Sequence, residues 1–209
     1  MPETPDNRTA SPVDYSLDRI GDRLDHPERE PILAKDDAVR ARWILDRVPP
    51  NARVCEVGAS DGGITKRLLQ RDAAVWAIER HAAHRAKLAL LSSVLPCWIM
   101  CGEADVALRT MPDGFFDIVL VCEVLEHMSG TAAFALFELA RRKARMAIVT
   151  VPNMNAKSFE RAKRQRYDWP DHKSHWDAYG LSKLTKSAVE PIVGESRNDS
   201  IWLGSVAGR

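Results

Sequence analysis

The sequence predicts an α/β fold: a seven-stranded, mostly parallel sheet with helices on both faces and an antiparallel last strand. Three observations predict it. Val54–Thr65 reads Val-Cys-Glu-Val-Gly-Ala-Ser-Asp-Gly-Gly-Ile-Thr, a short apolar run that breaks into a glycine-rich turn ahead of a helical pattern. From there to Val151, apolar runs of strand length alternate with helical patterns. The chain then ends in two extended stretches, Ile192–Ser196 and Ser200–Val206, joined only by Arg197-Asn198-Asp199. So short a connection cannot hold a crossover helix, so these two strands form an antiparallel hairpin.

The elements follow from the same patterns. Residues 1–12 carry few apolar groups and several Pro, Asp, Glu and Ser/Thr, and are expected to be a disordered tail. Residues 13–209 are expected to form one domain. A short helix is expected over Tyr15–Asp25, and an amphipathic one over Asp36–Arg47, ended by Pro49-Pro50. The strand Val54–Val57 leads into the helix Ile64–Gln70. Ala74–Ile78 leads into Ala82–Leu91, and Cys97–Cys101 into the helical turn Val106–Arg109. Asp117–Cys122 leads into Ala132–Arg142, and Ala147–Val151 into a basic insertion at 154–175. A last helix is expected near Ser182–Ala188.

Composition narrows the class. A chain of 209 residues can bury a full core, and a formal net charge of +1 carries no global signature of nucleic acid or membrane binding. The apolar run Ile118–Cys122 is far short of the ~20 residues that span a bilayer. The first thirty-one residues are polar with five prolines and no apolar signal core, so the cytoplasm is the expected location. Cys55, Cys97, Cys101 and Cys122 lack paired CxxC spacing and are expected to be reduced thiols, Cys55 and Cys122 within buried strands.

In open α/β sheets, ligands bind beyond the carboxyl ends of the strands. The residues just after each strand therefore belong together. After the first lie Gly58, Gly62 and Gly63, where the missing Cβ lets a ligand approach. The spacing is Gly-x-x-x-Gly-Gly, with Ser60 where a dinucleotide fingerprint has its second glycine, which weakens a nicotinamide reading. Glu56, two residues before the first glycine, points instead to S-adenosylmethionine, whose methionine end carries an ammonium group. Glu79 ends the second strand roughly twenty residues beyond Gly58, where a carboxylate accepts both ribose hydroxyls. Gly102-Glu103-Ala104 ends the third, offering a carboxylate to an exocyclic amine and a backbone N–H. Cys122-Glu123-Val124-Leu125-Glu126-His127-Met128 ends the fourth. Any one of these acids alone could be a solvated carboxylate, but all four groups fall at one sheet edge.

In order and spacing, these segments resemble the class I S-adenosylmethionine-dependent methyltransferases over roughly residues 36–207. The resemblance implies a Rossmann-like sheet and S-adenosylmethionine as cofactor. It implies that Glu56 and Gly58 approach the methionine amino end, that Glu79 binds the ribose, and that Ala59, Ser60, Gly63 and Arg80 also contact the cofactor. Glu103 with Ala104 would read the adenine, and Glu123 would face the cofactor. The expected reaction is methyl transfer to a hydroxyl or amine of a small molecule, with His127 and His175 as the bases, imidazole being the side chain that titrates near neutral pH.

Glu123, Glu126 and His127 share one face if they form a helical turn, and two carboxylates with an imidazole suit Mg2+ or Mn2+. Glu-x-x-Glu-His resembles the metal motif of the methyltransferases that modify the 3′-terminal 2′-hydroxyl of small RNAs, and that of metal-dependent ubiquinone-pathway O-methyltransferases. The small-RNA family adds a later histidine after a strand ending Thr/Val-Pro-Asn. Thr150-Val151-Pro152-Asn153 is followed here by His175, Tyr179 and Leu184 at that family's offsets, with His172 the rival by its Asp-His-Lys context. If a metal binds, its expected ligands are Glu123, Glu126, His127 and His175. Metal-free relatives share the Glu-Val-Leu-Glu-His run, where the acids sit at a helix start.

Lys157, Arg161, Lys163, Arg164 and Arg166, flanked by Tyr167, Trp169 and Trp176 and opposed only by Glu160, suit a phosphorylated small-molecule substrate or RNA. The same residues would equally serve as a solvated, ion-paired helix. An RNA 2′-O-methyltransferase is the alternative function, and a noncatalytic scaffold of the same fold is the third. No membrane partner is expected, and oligomeric state is not legible.

Overall fold

The computed structural model describes residues 30–92, 96–153, 172–193 and 200–208. The expected tail at 1–12, the helix at Tyr15–Asp25 and the basic residues of the insertion up to 171 lie outside them. The chain divides into two compact units, Met1–Ala34 and Lys35–Arg209. Of the first, only the opening residues of helix α1 (Glu30–Leu45) are described; the sheet lies in the second.

The alternation read from the sequence is built as β1 (Arg53–Val57), α2 (Gly63–Leu69), β2 (Ala74–Glu79), α3 (Ala82–Ser92), β3 (Cys97–Cys101), α4 (Ala104–Arg109) and β4 (Phe116–Cys122). A 3-10 turn (Leu125–His127), α5 (Gly130–Lys143), β5 (Ala144–Pro152), α6 (Ala178–Thr185), β6 (Val189–Val193) and β7 (Ser200–Gly208) follow. The sheet order is β3-β2-β1-β4-β5-β7-β6. Strands β1 to β5 pair in parallel, and β7 runs antiparallel to both β5 and β6. The order reverses between β1 and β4, which opens a crevice at the carboxyl ends of those strands.

Both faces of the central strands are covered, so their residues are apolar almost without interruption. Val54, Val75, Ala77, Ile118, Leu120 and Ile148 pack with Ile44 of α1, Leu68 of α2 and Leu88 of α3. The alternate residues Cys55, Val57, Val119, Val121 and Val149 pack with Leu108, Phe137 and Leu181 on the other face. Cys55 is fully buried, and burial, with Glu56 adding to it, pushes its thiol pKa far above the usual range. Burial likewise pushes the Cys122 thiol up to about 12. Both are inert core groups at neutral pH.

Several boundaries differ from the sequence expectation by a few residues, and two of them have a clear local cause. The last helix begins at Ala178 rather than near Ser182, because the Asp177 side chain accepts from the Gly180 N–H at 2.7 Å and starts it one turn earlier. Lys186 then takes a left-handed conformation (φ 54°) and ends it. Strand β6 begins at Val189 rather than Ile192 and runs through Pro191. Proline is tolerated there because β6 is the outer strand of the sheet.

One contact fixes α1 against the sheet. A Cβ on Gly204 of β7 would lie 2.5 Å from the Trp43 ring, so the indole fits only over a bare backbone. Trp43 Nε1 donates to Glu190 at 3.0 Å, and the Arg47 guanidinium lies 3.8 Å from the centre of the same ring. Gly204→Ala is therefore expected to lower stability by about 1–3 kcal/mol through overpacking, read in urea melts. An unchanged midpoint would mean that the α1 contact is not tight.

Candidate active site

The turn after β1 is held from the end of β2. Gly58 (φ 70°) and Gly62 (φ 81°) take left-handed conformations, and the Gly58 and Ala59 N–H groups donate to the Ile78 carbonyl at 2.9 and 3.1 Å. A Cβ on Gly58 would meet Val124 at 2.9 Å, so glycine also lets the loops after β1 and β4 come together. Ser60, though not a glycine, also takes a left-handed backbone (φ 50°). Its N–H donates to Glu79 Oε2 at 2.9 Å, while the His81 N–H donates to Oε1 at 2.7 Å. Both oxygens of buried Glu79 are thus fixed by backbone donors and keep lone pairs for a diol. Further along the turn, Asp61 pairs with His84 and, at 2.5 Å, with Lys87, tying the loop to α3.

After β3, Gly102 (φ 117°) leads into Glu103 and Ala104, the first residue of α4. Glu103 is exposed and lies 3.7 Å from the Arg80 guanidinium, so Arg80 and Glu103 face each other across the ends of β2 and β3. Gly63 opens α2.

Glu56 is the unusual group. It is buried in β1, and the Thr65 hydroxyl donates to its Oε2 at 2.5 Å. Burial pushes its pKa up to about 7. The Thr65 hydrogen bond and the Arg40 charge pull it down, and Glu79 adds to the rise. A carboxylate kept dry at the end of a central strand is poised for a cation.

After β4 the chain turns sharply at Glu123 (φ 57°). Thr150 Oγ1 donates to Glu123 Oε1 at 3.1 Å, Trp202 Nε1 donates to Oε2 at 3.1 Å, and Arg40 Nη1 lies 3.6 Å from Oε1. Three residues on, the segment from His172 crosses the 3-10 turn. Lys173 and Ser174 N–H groups donate to the Glu126 carbonyl at 2.7 and 3.0 Å, and Ser174 Oγ donates to the Leu125 carbonyl at 2.9 Å. This strap sets the His172 ring edge-to-face on His127, centroids 5.1 Å apart. Glu126, 2% exposed, lies 3.9 Å from His127 Nε2. One ligand atom from each of Glu126, His127 and His172 lies within 4.8 Å of the others.

Of the expected metal set, Glu126 and His127 come together, whereas Glu123 and His175 are outside the group. Glu123 is drawn toward β5, β7 and α1 by Thr150, Trp202 and Arg40. His175 is exposed, and the histidine that the strap delivers is His172, the rival in the sequence. His175, the second candidate base, lies on the same strap three residues beyond His172. Arg40, Thr65 and Trp202 escaped the sequence reading. Arg40 could have been found from its i, i+3 spacing to Trp43, which puts both on one stripe of α1.

Residues 55–145 match the family described as the methyltransferase domain, which takes in the stretch from β1 to the start of β5. No curated protein sequence matches the chain. Solved structures share its fold. A SAM-dependent methyltransferase from Archaeoglobus fulgidus is 13% identical, with a TM-score of 0.70, covering 87% of this chain and 97% of that one. Magnesium protoporphyrin IX methyltransferase (ChlM) from Synechocystis PCC 6803, with bound SAH, is 17% identical, with a TM-score of 0.65 and coverage of 93% and 97%. The small RNA methyltransferase HEN1 is 17% identical with a TM-score of 0.66; 83% of this chain aligns, but with only 25% of HEN1. The chain shares the fold of S-adenosylmethionine-dependent methyltransferases, and residues 55–145 match a methyltransferase domain. Among the described residues, no helix is long and apolar enough to cross a membrane.

The raised pKa of Glu56 has a sign that can be tested. Between about 4.5 and about 7 the folded, ligand-free chain holds a proton that the unfolded chain gives up, so the Glu56 contribution to stability falls as pH rises through that window. Glu56→Gln keeps an acceptor for Thr65 without the charge. At pH 8 the variant is expected to be more stable than the wild type by up to about 3 kcal/mol, the difference closing toward pH 4. Urea melts at both pH values check this, and equal stabilities at pH 8 would show that Glu56 carries no burial penalty.

Proposed function

We propose that the protein moves the methyl group of S-adenosylmethionine to a hydroxyl or amine of a small-molecule acceptor. The observation that carries this reading is the Glu79 clamp, one buried carboxylate that shapes the glycine turn and faces the crevice with open lone pairs. In this reading Glu79 binds the ribose diol, Glu56 answers the ammonium of the methionine end, and Arg80, Glu103 and Ala104 border the adenine. Acceptor attack on the methyl carbon forms the new bond as the carbon–sulfur bond breaks. The electron pair stays on sulfur, leaving a neutral thioether. Because the cofactor is already a sulfonium, the protein contributes chiefly alignment and a proton acceptor. His127, partly exposed after β4, is that base.

Glu79→Ala is expected to weaken binding of S-adenosylhomocysteine at least tenfold, since charge-assisted hydrogen bonds contribute about 1.5–3 kcal/mol. Calorimetry reads it directly. Unaltered affinity removes the ribose assignment.

A second reading, metal-dependent transfer to an RNA 2′-hydroxyl, is favoured by the Glu126–His127–His172 group and by the fold likeness to HEN1. A carboxylate and two imidazoles suit a first-row divalent ion, and their mutual spacing lets all three reach one point. A divalent ion held there would polarise the acceptor hydroxyl and lower its pKa. His127 would then be a ligand rather than the base, and the strap from Lys173 to Trp176 would serve to place His172. This reading expects one Mn2+ bound per chain in calorimetry, lost in His172→Ala and in Glu126→Gln, and methyl transfer abolished by chelator and restored by Mg2+ or Mn2+. Absence of Mn2+ binding, or full turnover in excess chelator, leaves the metal-free mechanism.

A further inference from the structure

The amino-acid end of S-adenosylmethionine carries a carboxylate as well as an ammonium, and the strand-end motifs supply mostly acids. Resting on the proposed use of that cofactor, we propose that Arg40 binds its α-carboxylate, and that the Arg40–Glu123 ion pair is a resting clasp which this carboxylate replaces. Arg40 projects from α1 toward the carboxyl ends of β1 and β4. It lies 3.6 Å from Glu123 and 5.4 Å from the centre of the Trp202 ring, with its side chain only 16% exposed. Glu123 is the residue directly after β4, so this contact places the guanidinium at the crevice where the strand order reverses. A planar guanidinium recognises a carboxylate through two parallel N–H bonds. With Glu56 for the ammonium and Arg40 for the carboxylate, the two charges of the α-amino acid meet opposite partners.

The exchange leaves no group stranded. Arg40 and Glu123 sit farther apart than the roughly 2.7–2.9 Å of a strong charge-assisted bond. Glu123 also accepts from Thr150 and Trp202 at 3.1 Å each, so it stays hydrogen-bonded when the guanidinium turns to a ligand. Arg40 itself is held in place by the docking of α1: the fit of Trp43 over Gly204 and the Arg47–Glu190 pair fix the helix one turn further on. Glu123 is thereby a resting counterion rather than a cofactor ligand.

The test uses three nucleosides and the full chain: S-adenosylmethionine, its decarboxylated analogue, which keeps the amine, and 5′-methylthioadenosine, which lacks the whole amino-acid end. Calorimetry on the wild type is expected to show the decarboxylated analogue roughly 10- to 100-fold weaker than S-adenosylmethionine, the range of one charge-assisted recognition. Arg40→Met should erase that difference while leaving methylthioadenosine affinity unchanged. Glu123→Gln should leave S-adenosylmethionine affinity the same or tighter, because the competing carboxylate is gone. The proposal is overturned if the wild type does not discriminate, if Arg40→Met keeps the wild-type discrimination, or if Glu123→Gln loses affinity as Arg40→Met does. A wild type that binds none of the three overturns the cofactor reading and this inference together. One that binds methylthioadenosine but ignores the carboxylate overturns the inference alone.

Discussion

The site depends on one carboxylate. Glu79 ends β2, is 5% exposed, and takes the Ser60 and His81 N–H groups on its two oxygens. A buried carboxylate without partners would be costly, whereas one with two backbone donors is satisfied and rigid. The consequence is structural before it is chemical. The glycine turn cannot relax away from β2 without leaving those oxygens unpaired, so the start of α2 stays fixed relative to the second strand. A ligand diol meeting Glu79 meets a group already oriented, with little rotamer freedom left to lose.

Glu56 is solved differently. Its side-chain partner is the Thr65 hydroxyl, and burial holds the carboxyl partly protonated near neutral pH. That is an unfavourable resting state for the fold and a favourable one for a cation. Stability is given up locally at the place where a positively charged ligand would restore it, the usual relation between strain and function at binding sites. The two acids of the same crevice therefore divide the work: one is fixed by the protein, and the other is left unsettled for a ligand.

The far side of the crevice is assembled by chain segments distant in sequence. Trp202 of β7 donates to Glu123, 79 positions away, because β7 enters the sheet beside β5 in antiparallel sense and carries Trp202 to the carboxyl end of its neighbours. The same reversal presents Gly204 to Trp43 and so seats α1. The terminal hairpin thus builds one wall of the crevice as well as closing the sheet. The strap at 172–177 uses backbone donors to bring an imidazole to the 3-10 turn.

Sequence by itself determined the strands, the reversed last strand and the strand-end acids. Burial on both faces writes continuous apolar runs, a turn with positive φ at Gly58 and Gly62 calls for glycine, and a three-residue link forbids a crossover. These are local constraints, legible one segment at a time. Boundaries set by a single side chain, such as Asp177 at α6, or by edge position, such as Pro191 in β6, were read a few residues off. Tertiary structure alone decided which histidine joins Glu126 and His127, where Glu123 points, and that Arg40 reaches the crevice. His172 and His175 lie one helical turn apart in sequence, and only the hydrogen bonds from Lys173 and Ser174 to the Glu126 carbonyl select between them. Such choices depend on how two distant segments dock, and docking is fixed by the sum of packing and hydrogen bonding across the fold rather than by any residue's neighbours in the chain.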